Sequence, residues 1–570
     1  MCMFVRSRVY FRHVIIVQRA EGTSVIPGID LSTIPDQGSR QAIQALLNLI
    51  ETLSSENREL RAENQRLRDE LNRLKGEQGK PTFTPTVPPP DLSSEQERHR
   101  PVERVKRAKR DQIAVDRTED LVVDPARLPP DAQFKGYEEV VVQDIRVCTD
   151  NVRFRKEKWY APSTGATYLA PLPPGYQGEY GPGVRAMVLV FAFACQMTEP
   201  KIADWFTHVG TRISDGQISN LLIKNQSPFH AEKEAVYAAG LRSSPWQHLD
   251  DTGTRVNGQN QHTQVITNPL HTTFITTLAK DRLSIVDVLR NGAPRAFRLN
   301  DEAFGYLEQV GMAGCTRQKL ALLPRDQTVD EATMLEWIAK TLPTVGSQTQ
   351  KWILDASAVA AYHAQTEWPV VQLLVCDGAL QFVGVTKELG GCWIHEGRHY
   401  KKLVPALAPH RRLLETFLDD FWDYYDQLLA YREHPTADER SRLSEAFDTL
   451  FGRKTGYWAL DERIGLTRAK KTSLLMVLTH PEIPLHNNPA ELGARQRVRK
   501  RVISFGPRTA EGAAAWDTFM SLAATTKQLG ISFYQYIHDR ISGAQQIPPL
   551  HEIIDERAKE LNLGASWLTS

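Results

Sequence analysis

The stretch HLDDTGTRVNGQNQHTQVITNPLHTTFITTLAK, residues 248–280, decides the fold. It is dense in threonine, valine and isoleucine and is broken by Asn-Gly and Asn-Pro pairs. That pattern predicts three consecutive short strands separated by turns. DRLSIVDVLRNG (281–292) follows as a helix. VVQLLVCDG (370–378) is a later apolar run that ends in an acid, as a buried strand would.

Working outward, residues 401–484 read mostly as long helices, RRLLETFLDDFWDYYDQLLAYRE (411–433) among them, and are assigned to a helical insertion. The next block, LHNNPAELGARQRVRKR (485–501), sets a glutamate and a cationic run on one helix. Glu491 and Arg495 are four residues apart and share a face. Upstream, TEPKIADWFTHVG (198–210) and TRISDGQISNLLIKN (211–225) read as two short helices joined through Gly210, with Ser214 as N-cap of the second. This spacing suits a helix-turn-helix presenting Asp215, Gln217, Ser219 and Asn220 to a groove, although any helical hairpin looks similar. EEVVVQDIRV (138–147) and VRFRKEKWYA (152–161) predict a small β unit, closed by a Pro/Gly-rich stretch.

The clearest period comes earlier. Leu46, Leu53, Leu60, Leu67 and Leu74 recur every seven residues, with Ile43, Ile50, Asn57, Asn64 and Leu71 at the a positions. Glu56, Glu63 and Glu70 at g oppose Arg61, Arg68 and Lys75 at e of a partner helix. That is the charge pattern of a parallel two-stranded coiled coil, and asparagine at a favours a dimer. PTFTPTVPPPDLSS (81–94) cannot continue the helix. RHRPVERVKRAKR (98–110), which carries Lys106, Arg107, Lys109 and Arg110, is either a solvated tether or a non-specific contact to DNA phosphates.

The expected organisation is therefore a loose arm (1–35), a zipper-like coil (36–79) and a Pro-rich, basic linker (80–135). A β unit (136–183) and a helix-turn-helix region (184–240) follow. The first part of the core (241–400) contains an extra module (293–370). The helical insertion (401–484), the final core helix (485–540) and a C-terminal tail (541–570) complete the chain.

With 570 residues, 41% hydrophobic and 24% charged, the composition is that of a soluble globular protein of several domains. A net charge of +1 gives no overall nucleic-acid signal, so any such signal is local. Six cysteines without paired spacing argue against a disulfide framework and fit a reducing cytoplasm. No segment has the roughly 18 uninterrupted apolar residues of a membrane span.

Three strands, a helix and a further strand are the order of an RNase-H-like α/β core. In that fold, acids distant in sequence converge: Asp250 in the first strand, Asp377 at the end of the later one, and Glu491 on the final helix. Phosphoryl transfer on DNA needs an activated nucleophile and a stabilised leaving oxygen, and two metal ions about 4 Å apart supply both. Magnesium or manganese prefers such oxygen donors.

LDDTGTRVNG (249–258), LLVCDG (373–378), GCWIH (391–395) and HNNPAELGARQRVRKRVISFGPRTAEGAAAW (486–516) resemble the insertion-sequence-66 family of bacterial DDE transposases. The likeness runs from about Tyr180 to about Ile537, and the zipper-like start is similar too. It implies that Asp250, Asp377 and Glu491 are the catalytic acids and metal ligands, with Asp251 the acid beside the first. It identifies Cys392 and His395 with a Cys-x-x-His signature. It also implies cleavage at element ends and strand transfer, with terminal inverted repeats and target DNA as partners. A homodimer through the coil, or a higher oligomer on DNA, would act in the bacterial cytoplasm at the nucleoid. Arg495, Arg497, Arg499, Lys500 and Arg501 would hold the DNA backbone beside Glu491.

The sequence also departs from the family. The β unit has only Cys148 where paired cysteines are usual, so no zinc is expected. The interval from Asp250 to Asp377 is long, which leaves Asp355 in KWILDAS (351–357) as a rival second acid. His486 and Leu492 replace the family's aspartate and arginine. Cys392, His395 and His399 lack a fourth ligand and read as packing rather than a metal site. A non-catalytic DNA-binding relative and a nuclease without strand transfer are the competing functions.

Overall fold

The computed structural model describes residues 34–74, 113–176 and 178–568. The basic stretch 98–110, and with it Lys106, Arg107, Lys109 and Arg110, lies outside them, as do most of the N-terminal arm and the start of the linker.

Five strands form the central sheet: β1 (Trp246–Val256), β2 (Gln259–Asn268), β3 (His271–Thr277), β4 (Leu373–Cys376) and β5 (Glu388–Gly391). Their order is β3-β2-β1-β4-β5. The first three are antiparallel, with Asp250 opposite Val265 and Val265 opposite Phe274. β4 runs parallel to β1 and β5 parallel to β4. The turn from β1 to β2 is Asn257-Gly258, both with positive φ (50° and 76°). These are the residues a two-residue hairpin of this hand requires.

Side chains alternate across the sheet and feed two cores. Leu249, Ile266 and Leu374 face one core, with the helices Arg282–Leu289, Asp301–Gln309, Glu331–Thr341 and Ser347–Ala364. Val265 and Phe274 face the other, with the helices Pro182–Leu189, Glu199–His208, Asp215–Ile223, Ala510–Gln528 and Phe533–Ser542. The extra module 293–370 thus supplies one cover of the sheet, and the two short helices expected as a helix-turn-helix belong to the other.

Several expectations change. The β unit is a single hairpin, Lys158–Ala161 with Ala166–Leu169. Residues 138–157 form no strand and are exposed. Their β-branched side chains favour extended backbone, but a strand also needs a partner for its N–H and C=O groups. The C-terminal tail is helical and packed. Helix Leu550–Leu561 buries Leu550 and Ile554 and pairs Asp555 with Arg242 at 3.0 Å. Leu563 accepts the Trp246 indole N–H at 2.7 Å, which holds the start of β1.

By contact the chain divides into two units, one built on the sheet and one on the N-terminal helix. The second unit comprises Gln37–Leu74 with segments 399–424 and 448–468. The remainder of the insertion, 425–447 and 469–484, groups with the sheet, so 401–484 is not one separate body. In the smaller unit the Glu51 carboxylate accepts the backbone N–H groups of Ala406 (2.5 Å) and Leu407 (3.0 Å), while Asn48 bonds Gly456 and Trp458. The helix docks through Leu47, Asn48 and Glu51, whereas Leu46, Leu53, Leu60 and Leu67 remain 54–58% exposed. No described helix is long and apolar enough to cross a membrane.

Candidate acid cluster at the end of the sheet

Strand alternation separates Asp250 from Asp251. Leu249 enters one core, so Asp250 turns to the opposite face, under helix Asn488–Ser504, and Asp251 turns back. Asp251 accepts a hydrogen bond from the Gln381 amide (3.1 Å) and lies 3.8 Å from both Lys280 Nζ and His262 Nδ1. Asp250 Oδ1 accepts the Asp251 backbone N–H at 2.9 Å.

The parallel pairing of β1 and β4 aligns His248 with Val375. Carried two residues further, that register sets Asp377 level with Asp250. Asp377 closes an Asx turn, its Oδ1 accepting the Ala379 N–H at 2.9 Å across Gly378 (φ 80°). The third acid arrives through a clamp. Asn487 donates Nδ2–H to the Leu249 carbonyl at 2.8 Å, and its Oδ1 lies 3.0 Å from His248 Nδ1. Burial pushes His248 down to about 3, so it is neutral and its Nδ1–H donates. The Asn487 backbone N–H donates to Cys392 Sγ at 3.3 Å. Glu491 stands one turn on, its N–H bonded to the Asn487 carbonyl at 3.1 Å. The clamp therefore fixes the start of the acid helix to the strand carrying Asp250.

Helix and sheet approach closely here. A Cβ on Gly493 would lie 2.6 Å from Val265 Cγ1. Arg398 grips Glu491 with two nitrogens, at 3.1–3.2 Å, and Arg495 is 4.0 Å away. Burial pushes the Asp250 carboxyl up to about 7; Asp377, Glu491 and Asp251 add to the rise and the Asp251 N–H opposes it. Burial lowers His395, while Asp377 and Glu491 among its neighbours partly restore its proton affinity. Asp250, Asp377, Glu491 and His395 thus share one electrostatic environment. Among the described residues no three His, Cys, Asp or Glu side chains are arranged to hold a metal ion as they stand. Three carboxylates are nonetheless the hard oxygen donors that magnesium or manganese takes.

Asp355, the rival second acid, has a different setting. It lies on helix Ser347–Ala364, not at a strand end, and its buried carboxylate pairs with Arg282 at 2.9 Å. Cys392 is buried, pushed up to about 12, and takes the N–H groups of His395 and Asn487 on its sulfur. Its thiol is therefore protonated at neutral pH.

The cationic run divides by helix face. Arg499 and Arg495 are exposed and Arg501 half-buried. Arg497 is 0% exposed and paired with Asp517 at 3.0 Å. Lys500 is 4% exposed, its ammonium over Phe193 and Trp516 and 3.4 Å from the Met197 carbonyl. Arg497 and Lys500 are therefore core cations, contrary to the expectation that both grip DNA. The Ser214 cap forms as expected, its hydroxyl accepting the Gln217 N–H at 3.2 Å. Gln217 and Asn220 are half-buried rather than fully presented.

Sequence reasoning did not single out His248 or Arg398. Asn487 had a visible signal, a polar residue just before a proline-started helix. Arg398 had one too, lying one turn from His395 in the Cys-x-x-His block.

The sequence matches no protein-family profile, and no solved structure matches the chain. It is similar to the uncharacterized protein y4jO of Sinorhizobium fredii (strain NBRC 101917 / NGR234), 32% identical over 324 residues, covering 56% of this chain and 99% of that protein.

Proposed function

We propose that this chain, which belongs to one family with that Sinorhizobium protein, is a DDE-type DNA transposase related to the insertion-sequence-66 group. One observation carries the reading. Asp250 on β1, Asp377 just past β4 and Glu491 on a helix clamped to β1 lie near enough, at one end of a sheet ordered β3-β2-β1-β4-β5, for Asp377 and Glu491 to raise Asp250. That order and direction of strands supports an RNase-H-like reading of the core, in which distant acids converge.

Asp250, Asp377 and Glu491 would hold two magnesium or manganese ions, which when bound activate the attacking water or 3′ hydroxyl and neutralise the leaving oxygen. For that, Glu491 must exchange Arg398 for the cation, so Arg398 balances the cluster in the meantime. Asn487 and His248 keep Asp250 and Glu491 in register. Arg495 borders the cluster, and with Arg499 and Arg501 on the same helix it neutralises backbone phosphates without reading sequence. Helix Asp215–Ile223 contacts the terminal repeats, and the exposed leucine stripe of Gln37–Leu74 pairs two copies so that two ends are held together.

The test is cleavage and joining of DNA carrying the sequences that flank the gene. Nicking at the repeat boundary and strand transfer, both lost in Glu491→Gln and Asp250→Asn, support the proposal. Hydrolysis without joining assigns the site to a nuclease, and full activity of Glu491→Gln removes the site altogether.

A further inference from the structure

On another face of the acid helix lies a cavity of about 340 Å³, bounded by Asn488, Pro489, Leu492, Gly493, Ala524 and Lys527. Asn488 is 4% exposed, yet neither Nδ2 nor Oδ1 has a hydrogen-bond partner. Its neighbour behaves oppositely: both ends of the Asn487 amide are bonded, to Leu249 and His248. A buried amide left open at both ends is rare and calls for a ligand or an ordered water. The nearby Gln528 is committed, taking the Thr272 hydroxyl at 3.2 Å and donating to the Asn268 carbonyl at 3.1 Å. The cavity therefore offers the open Asn488 amide, a donor beside an acceptor, among further polar lining groups that include His486 and Gln496, with walls of Pro489, Leu492, Gly493 and Ala524 and one cation, Lys527.

We propose that this cavity binds a nucleobase, with the Asn488 amide bonded to the base edge and Lys527 to the attached phosphate. A side-chain amide pairs two-point with a base edge that places N–H beside a ring nitrogen or carbonyl. Apolar walls suit a base removed from its stack. The volume falls within the range of small-ligand sites, about 300–1,000 Å³. The base comes either from an unpaired position in DNA or from a free nucleotide. Only the first source rests on the transposase reading.

The experiment measures binding of three probes to the full chain. They are a duplex with one unpaired 2-aminopurine, the same duplex with an abasic site there, and free deoxyadenosine monophosphate. If DNA is the source, the base-containing duplex binds roughly tenfold tighter than the abasic one. If a free nucleotide is the source, deoxyadenosine monophosphate binds and the two duplexes are equal. In either case Asn488→Ala removes the effect, and Leu492→Trp, which fills the cavity, does the same. Because the Asn488 amide has no partner, Asn488→Ala should fold with undiminished stability, whereas a merely structural amide would lower it. Glu491→Gln should leave base binding intact while abolishing cleavage, so failure of the transposase reading is seen separately. Equal duplex affinities with no nucleotide binding, or unchanged binding in Asn488→Ala, overturns the proposal and leaves an amide that holds only water.

Discussion

Asp250→Asn should make the protein more stable at neutral pH, in spite of removing a residue assigned to the site. In the native state the Asp250 carboxyl is pushed from 3.8 to about 7, first by burial and then by Asp377, Glu491 and Asp251. The folded chain therefore keeps a proton that the unfolded chain releases. Between about pH 4 and pH 7 the unfolded state binds fewer protons, so stability falls as pH rises, and above pH 7 the full cost remains. At about 1.4 kcal/mol per tenfold change in proton affinity, the ceiling is about 4 kcal/mol. The group is partly solvated, and solvent screening reduces this to about 1–2 kcal/mol. Asparagine keeps an oxygen for the Asp251 N–H and carries no charge to desolvate. Urea unfolding of both proteins in EDTA, followed by tryptophan fluorescence from pH 4 to pH 8, measures the difference. It should be near zero at pH 4, grow through pH 5–7 and level off by pH 8 with the variant more stable. Added magnesium should then raise the wild type more than the variant. A difference independent of pH, or a variant less stable at pH 8, refutes the reasoning.

Gly493→Ala should cost about 1–3 kcal/mol in urea unfolding, because its Cβ would meet Val265 at 2.6 Å where helix and sheet approach. Asp517→Asn should lower stability by about 3–5 kcal/mol by stranding the fully buried Arg497, and Arg497→Met combined with Asp517→Asn should recover much of it. Arg499→Ala should instead leave stability unchanged and reduce the slope of log affinity for DNA against log salt by about one. Lysine at both Leu53 and Leu60, each more than half exposed, should turn a dimer seen by light scattering into a monomer without loss of helicity.

The strands were legible because threonine, valine and isoleucine alternate between Asn-Gly and Asn-Pro breaks over residues 248–280. Alternation also carries the choice of Asp250 over Asp251, once Leu249 is known to face a core. The run of cations on the acid helix misled, because charge alone implies a solvated face. The signal against it was spacing. Ala490, Gly493, Ala494, Arg497 and Lys500 recur at intervals of three and four, as a buried stripe does, and burial of two cations became possible only with Asp517, Phe193 and Trp516 from distant parts of the chain. No local pattern contains those partners. KWIL before Asp355 was too short to distinguish helix from strand, although the alanine-rich ASAVAAYHA that follows favours helix. The β-branched residues of 138–147 predicted strands without naming a partner for them. His248 was hidden for the same reason, since it matters only through Asn487, and the role of Arg398, although it lies one turn from His395, depends on the equally remote Glu491.

Counting bound manganese by electron paramagnetic resonance, with the flanking DNA present, tests most directly whether Asp250, Asp377 and Glu491 form one cation site. About two ions per chain are predicted for the wild type, with at least one lost in each of Asp250→Asn, Asp377→Asn and Glu491→Gln and neither lost in Asp251→Asn or Asp355→Asn. Unchanged manganese binding in the first three variants, or DNA cleavage that persists in EDTA, contradicts the account.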